Sequence, residues 1–429
     1  MIKIKRALAL LLCTLVMLSP LSLTSCMYMQ LGNSGSKDGY ITRSELEDIL
    51  NGRLDGEITV EAGDNYDITI EGGEKLNLTL ASKAILSAVS IFCTFDVVSY
   101  SGFGQATTSE SYSAGSGVIY KIDKTSGDAY IITNHHVVYN SECNTVNKIS
   151  DDIALFLYGM ENGSYAIPAT YVGGSMQYDL AVLKVSASRL LMESNAIAAS
   201  FADSNEVSVL DTAIAVGNPE GEGISATVGY VNVDSEYVTL NFTTPTGARE
   251  VELRVMRIDT PVNGGNSGGG LFNAEGKLIG IVNAKMTDSE NIGYAIPSNV
   301  VKYVADNILY YCDGKTEEAP YRCLVGITVT AGKSYSRYDT ETGKIYKLED
   351  VRVEEVSSGG IADGRIIAGD IIRSITVDGT EYEVTRIFHV VDSMLNARVG
   401  SVVEVKLLRG GEEVTVTLDI IEDALTKWD

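Results

Sequence analysis

The chain has 429 residues, too many for one hydrophobic core and enough for two or three domains. With 45% hydrophobic and 21% charged residues it has the composition of a folded protein, neither cysteine-dense nor low in complexity. Thirty-three basic against 57 acidic side chains leave a formal charge of −24, a surface that repels phosphate backbones and argues against nucleic acid as a partner.

At the N-terminus Lys3, Lys5 and Arg6 precede an uncharged apolar run from Ala7 to Leu18, then Leu23-Thr24-Ser25-Cys26. A basic end, a short apolar stretch and small residues at a cut site describe an export signal; an uncleaved membrane helix is the alternative. Cys26 at that junction resembles the bacterial lipobox. This implies a signal peptide over 1–25, lipid on Cys26, and an exported, extracytoplasmic protein anchored to a bacterial membrane. Cys93, Cys143, Cys312 and Cys323 remain, and none has C-x-x-C spacing, so no zinc or redox site is expected.

Residues 26–80 read as a tether and an N-terminal segment without an assigned role. Thr42 and Glu45 make a capping box before Leu46, Ile49 and Leu50. Residues 57–80 alternate apolar and polar between Gly- and Asp-rich turns, which predicts short strands. Over 81–310 strand signals dominate: Gly117–Tyr120, Tyr130–Ile132, Leu180–Val185, Ala213–Val216 and Leu278–Val282, with helical periodicity only at Asn299–Ile308. About 225 residues of short strands suit two small barrels. A polar linker over 311–320 leads to residues 321–423. There Leu324–Val329, Val351–Val356, Ile371–Val377, Val402–Leu408 and Val414–Ile420 predict strands around one helix, whose apolar stripe is Ile387, Val390, Val391, Met394 and Leu395. His389 lies off that stripe and is expected to face solvent.

The chemistry concentrates in Gly264-Gly265-Asn266-Ser267-Gly268-Gly269-Gly270. Glycines around a serine let the backbone turn sharply and aim N–H groups at one point, which the oxyanion of acyl transfer requires. The stretch also satisfies G-x-S-x-G, but an α/β-hydrolase needs a histidine after its serine, and here only His389 follows, in another domain. Upstream, Thr133-Asn134-His135-His136 follows a strand, and Asp179 opens the strand Leu180–Val185. His…Asp…Ser is the trypsin-type order.

Together with Ala215-Val216-Gly217-Asn218-Pro219 and Ile292-Gly293-Tyr294-Ala295-Ile296-Pro297, these motifs resemble the HtrA (DegP-like) family of trypsin-like serine proteases. The resemblance implies a mostly β fold, a two-barrel protease domain followed by a PDZ-like α+β domain. It implies His136 as base, Asp179 as its partner and Ser267 as nucleophile, with the N–H groups of Gly265 and Ser267 as oxyanion hole. His135 becomes a structural residue. Ile258-Asp259-Thr260-Pro261 departs from the family's usual Thr-Asp before the serine loop. In the C-terminal domain Leu324, Val325, Gly326 and Ile327 resemble a carboxylate-binding loop, and Ala331–Asp350 a polar insertion able to form a hairpin. The implied activity is endopeptidase action on unfolded or damaged exported proteins, by a homotrimer needing no metal or organic cofactor.

Overall fold

The computed structural model describes residues 58–62, 66–70, 82–100, 106–160, 163–283, 292–315 and 320–428. Cys26 and the capping box at Thr42 and Glu45 lie outside them. The unit spanning Met1–Asn77 contributes β1 (Ile58–Ala62) and β2 (Tyr66–Ile70), paired antiparallel as the alternation in 57–80 predicts.

The unit from Leu78 onward holds everything else. Six strands close a first barrel in the order β3-β4-β5-β8-β7-β6: β3 (Ala88–Tyr100), β4 (Ala106–Asp123), β5 (Asp128–Thr133), β6 (Asp152–Leu157), β7 (Ile167–Ser175) and β8 (Leu180–Val185). Every side chain of β8 except Lys184 is buried, so it reads as one apolar run rather than an alternation. Ile91, Ile119, Ile131, Leu155 and Leu183 fill the interior, each worth about 1.5–3 kcal/mol when taken from water.

A second barrel closes in the order β10-β11-β14-β13-β12-β9: β9 (Thr212–Gly217), β10 (Ser225–Thr244), β11 (Gly247–Ile258), β12 (Gly270–Phe272), β13 (Leu278–Val282) and β14 (Gly293–Pro297). The helix expected at Asn299–Ile308 runs Ser298–Cys312, into the first residues of the expected linker. That helix is α3; two shorter ones precede it, α1 (His135–Val138) and α2 (Arg189–Glu193).

Beyond Pro320 lie β15 (Tyr321–Cys323), β16 (Ile327–Tyr338), β17 (Ile345–Val356), β18 (Ile371–Val377), β19 (Thr380–Glu383), α4 (Ile387–Met394), β20 (Val402–Arg409), β21 (Glu412–Asp419) and β22 (Leu425–Lys427). The main sheet runs β16-β17-β18-β20-β21 with β19 beside β18, and β15 pairs with β22. Of the strand expected at Leu324–Val329 only Ile327–Val329 forms, as the start of β16, because the chain turns at Gly326 with φ of +82°. The insertion Ala331–Asp350 forms the hairpin ends of β16 and β17. His389 corrects its expectation: it is 9% exposed, packed edge-on to Phe388, with Nδ1 accepting the Thr385 N–H at 3.2 Å. None of the four cysteines after Cys26 is in a disulfide, and all four are buried. Among the described residues no helix is long and apolar enough to cross a membrane.

Candidate active site

Strand β5 ends at Thr133 and the chain turns into α1, which brings His136 to the barrel rim. Asp179 stands immediately before β8, wholly buried and with φ of +47°. Neighbouring antiparallel strands carry both: β5 pairs with β8 from Ala129↔Val185 to Thr133↔Ala181. That register puts the residues just past Thr133 beside those just before Leu180. The His136 Nδ1–H donates to Asp179 Oδ2 at 2.7 Å, and the His136 backbone N–H to Oδ1 at 3.0 Å.

Burial alone opposes a charge on Asp179. The adjacent imidazole, its Nδ1–H and the backbone N–H outweigh it and hold the carboxyl below the usual carboxylate range. The carboxylate is therefore fixed as an acceptor, which sets the tautomer of His136 and leaves Nε2 to take a proton. A third donor, Asn283 Nδ2, reaches Oδ2 at 2.8 Å.

The serine loop meets these groups from the second barrel. Gly268 N–H donates to Val282 O at 3.0 Å, next to Asn283. A Cβ on Gly268 would lie 2.2 Å from Ser116 O and 2.3 Å from Thr133 Oγ1, at a φ of +84°. Only glycine fits there, so the residue after Ser267 lies against the strand end that leads to His136. Ser267 itself is 6% exposed, and His136 keeps 16% of its side chain in solvent. His135 turns away: it stacks on Tyr139 with ring centroids 5.4 Å apart and meets Tyr171 edge-on.

Gly265 has φ of +93°, and a Cβ there would fall 2.2 Å from Asn218 O. Glu220 N–H donates to Gly264 O at 2.8 Å. A trans peptide points its C=O and N–H in opposite directions. The Gly265 N–H is thus turned away from Glu220, and among the described residues it meets no backbone acceptor. The departure at Ile258–Pro261 is also tied down: Asp259 Oδ1 accepts the Tyr230 N–H at 2.6 Å and Thr260 Oγ1 donates to Ala213 O at 3.1 Å.

Two residues of this site escape sequence reasoning. Asn283 ends an ordinary apolar run, with no flanking pattern to betray it. Ser116 is flanked by Gly115 and Gly117, and that pair of glycines in a strand was the available signal. The leading C-terminal loop residues, Leu324, Val325, Gly326 and Ile327, lie together at the start of β16, far along the chain from this cluster. On its outer side β16 has no strand neighbour among the described residues.

The arrangement sets a buried carboxylate behind the His136 imidazole, with the glycine-rich serine loop packed against the strand end that leads to it. The trypsin-like peptidase domain family matches residues 115–281. The chain is 35% identical over 314 residues to the serine protease Do-like HtrA of Bacillus subtilis (strain 168), 70% of this chain and 62% of that protein. It is 32% identical over 320 residues to the serine protease Do-like HtrA of Lactococcus lactis subsp. cremoris (strain MG1363), 72% of this chain and 70% of that one. It is 32% identical over 314 residues to the periplasmic pH-dependent serine endoprotease DegQ of Escherichia coli (strain K12), 71% of this chain and 59% of that one. The matches thus span less than two thirds of the Bacillus and Escherichia proteins and just over two thirds of the Lactococcus one.

Proposed function

Because this chain belongs to the HtrA family of trypsin-like serine endopeptidases, we propose that Ser267 is its nucleophile, His136 its base and Asp179 the partner that holds the imidazole. Ser267 Oγ attacks the scissile carbonyl while His136 Nε2 takes its proton. Asp179 stabilises the imidazolium, and the N–H groups of Gly265 and Ser267 receive the oxyanion. His136 then protonates the leaving amine, and water repeats the cycle on the acyl-enzyme. The observation that carries this reading is the buried Asp179 carboxylate accepting the His136 Nδ1–H at the barrel rim, where the glycine after Ser267 packs against Thr133.

A peptide must be extended to reach such a cleft, so the substrates are unfolded or damaged exported proteins. The domain plan is a signal peptide over 1–25, a tether and N-terminal segment over 26–80, protease over 81–310, linker over 311–320 and a PDZ-like domain over 321–423. In the last, Leu324, Val325, Gly326 and Ile327 form a carboxylate-binding loop, and β16 offers its open edge to a peptide by strand addition. Lipid on Cys26 anchors the exported protein, as a homotrimer, to a bacterial membrane. Loss of palmitate labelling in Cys26→Ser checks the anchor.

Dye-labelled denatured casein tests the reaction. Wild type cleaves it and Ser267→Ala does so at least 10³-fold more slowly. Equal cleavage by both removes Ser267 as nucleophile.

A further inference from the structure

Ser116 lies in β4 of the first barrel, fully buried, and is not part of the triad. Its backbone N–H donates to Ser267 O at 2.8 Å. Its hydroxyl donates to Gly265 O at 2.7 Å and accepts the Asn218 N–H at 2.7 Å. Its own carbonyl accepts the Thr133 hydroxyl at 2.7 Å, three residues before His136. One residue therefore holds the carbonyls of both residues whose N–H groups are assigned to the oxyanion, and it does so from the opposite barrel.

We propose that Ser116 is the positioning residue of the oxyanion hole. The physical reason is that Gly265 has no side chain to fix it and a backbone free to rotate. Two contacts then set its orientation: Glu220 N–H on the carbonyl before it and Ser116 Oγ–H on its own. An oxyanion donor helps only if it is already aimed when charge develops, because reorienting it then costs what the interaction would have gained. The Asn218 N–H on the same hydroxyl leaves the proton of Ser116 nowhere better to point than Gly265 O. A Cβ at Gly217 would sit 2.6 Å from Asn266 Oδ1 and 2.9 Å from Ser116 Oγ, so the strut and the serine loop together exclude a side chain there. The inference rests on the assignment of Ser267 and Gly265 made above.

The test compares Ser116→Ala and Ser116→Cys with wild type, on an internally quenched peptide copied from a casein site that the wild-type enzyme cuts. Both variants keep the backbone bond to Ser267, and cysteine keeps the shape with a weaker donor. Removing one oxyanion donor outright costs roughly 10²–10³ in kcat; a donor left present but unaimed is expected to cost about 30-fold in Ser116→Ala, with the cysteine variant between. KM should stay within about twofold, and the acid limb of the pH profile should not move, because Ser116 does not touch His136. Unchanged kcat, a loss expressed in KM, a displaced acid limb, or a loss matched by unfolding of both variants overturns the inference. Ser267→Ala in the same assay separates the two levels. If it cuts as fast as wild type, the nucleophile assignment falls and this inference with it. If it is inactive while the Ser116 variants keep full kcat, only the role of Ser116 falls.

Discussion

At the scale of single residues, Asp179 shows how burial and hydrogen bonding compete. A carboxylate with no solvent contact would normally take up a proton, yet here three N–H donors meet its two oxygens: His136 N and Nδ1, and Asn283 Nδ2. Those from His136 belong to the proposed base, while Asn283 supplies a donor that never changes state. Asn283→Ala is expected to lower kcat/KM about tenfold, the effect of one lost hydrogen bond to a charged group of about 1.5 kcal/mol. Asn283→Asp should do more damage, because two buried carboxylates facing each other cannot both ionise. Steady-state rates on the quenched peptide check both, and equal activity of the aspartate variant would show that Asn283 does not govern the charge of Asp179. His136, Asp179 and Ser267, the proposed triad, stand out in the sequence because their types, order and flanking motifs are constrained. Asn283 does not, since any donor on the end of β13 would serve and no pattern marks it.

Whole elements were legible where apolar periodicity met turn chemistry, and less so elsewhere. Leu180–Val185, Leu278–Val282 and Ile371–Val377 were read to the residue. Within Leu324–Val329 only Ile327–Val329 is strand, because hydrophobicity continues through the turn at Gly326 that only backbone conformation reveals. The apolar stripe marks the position of helix α4 but not its buried face: Val391 in the stripe is 52% exposed and His389 off it is buried, because periodicity describes one face of a helix and knows nothing of what covers the other. That other face packs on the second barrel: Arg254 lies over the Phe388 ring at 4.0 Å and pairs with Asp392, while Arg386 reaches Asp234. Burial first, then the nearby Arg254 and Arg386, push the His389 imidazole down to about 3. Its carboxylate neighbours Asp392, Asp234 and Glu349 are already engaged by those guanidinium groups. The folded state thus keeps His389 neutral while the unfolded chain takes a proton near pH 6.5. Between those values the unfolded state binds more protons, so stability rises with pH and is lost as pH falls from 6.5 toward 3. Asp179, with a lowered value, contributes its loss only below about pH 4. Asp392, whose carboxyl burial raises, adds a slope of opposite sign above about pH 4, so the share of His389, on the order of 2 kcal/mol, is read between pH 4.5 and 7 as the difference between wild type and a variant lacking the imidazole. His389→Gln should flatten that slope, and an unchanged slope would assign it to other groups.

At the scale of the molecule, the C-terminal sheet is fastened to the barrels by pairs that no sequence pattern announces, since the partners are far apart in the chain. Arg254 and Asp392 meet at 2.5 Å across 138 positions, and Lys344 in the β16–β17 hairpin reaches Asp211 at 2.6 Å. Asn307 Nδ2 on α3 donates to Tyr321 O at 2.8 Å. Trp428, the chain's one tryptophan, is 2% exposed with its ring 4.9 Å from Tyr178, the residue before Asp179. Its fluorescence therefore reports docking of the C-terminal segment beside the active site. In the Arg254–Asp392 pair burial outweighs the guanidinium and raises the Asp392 carboxyl above its usual range, so the pair is held at an electrostatic cost. Such a pair stabilises little against an apolar replacement, but breaking it leaves a stranded charge, at about 3–5 kcal/mol. Arg254→Met should accordingly red-shift Trp428 emission at a lower temperature than in wild type. Adding Asp392→Leu should restore most of the loss. Should the single variant keep the wild-type emission and melting curve, the pair does not hold the sheet to the barrels, and the docking rests on the aromatic contact and the Lys344 strut instead.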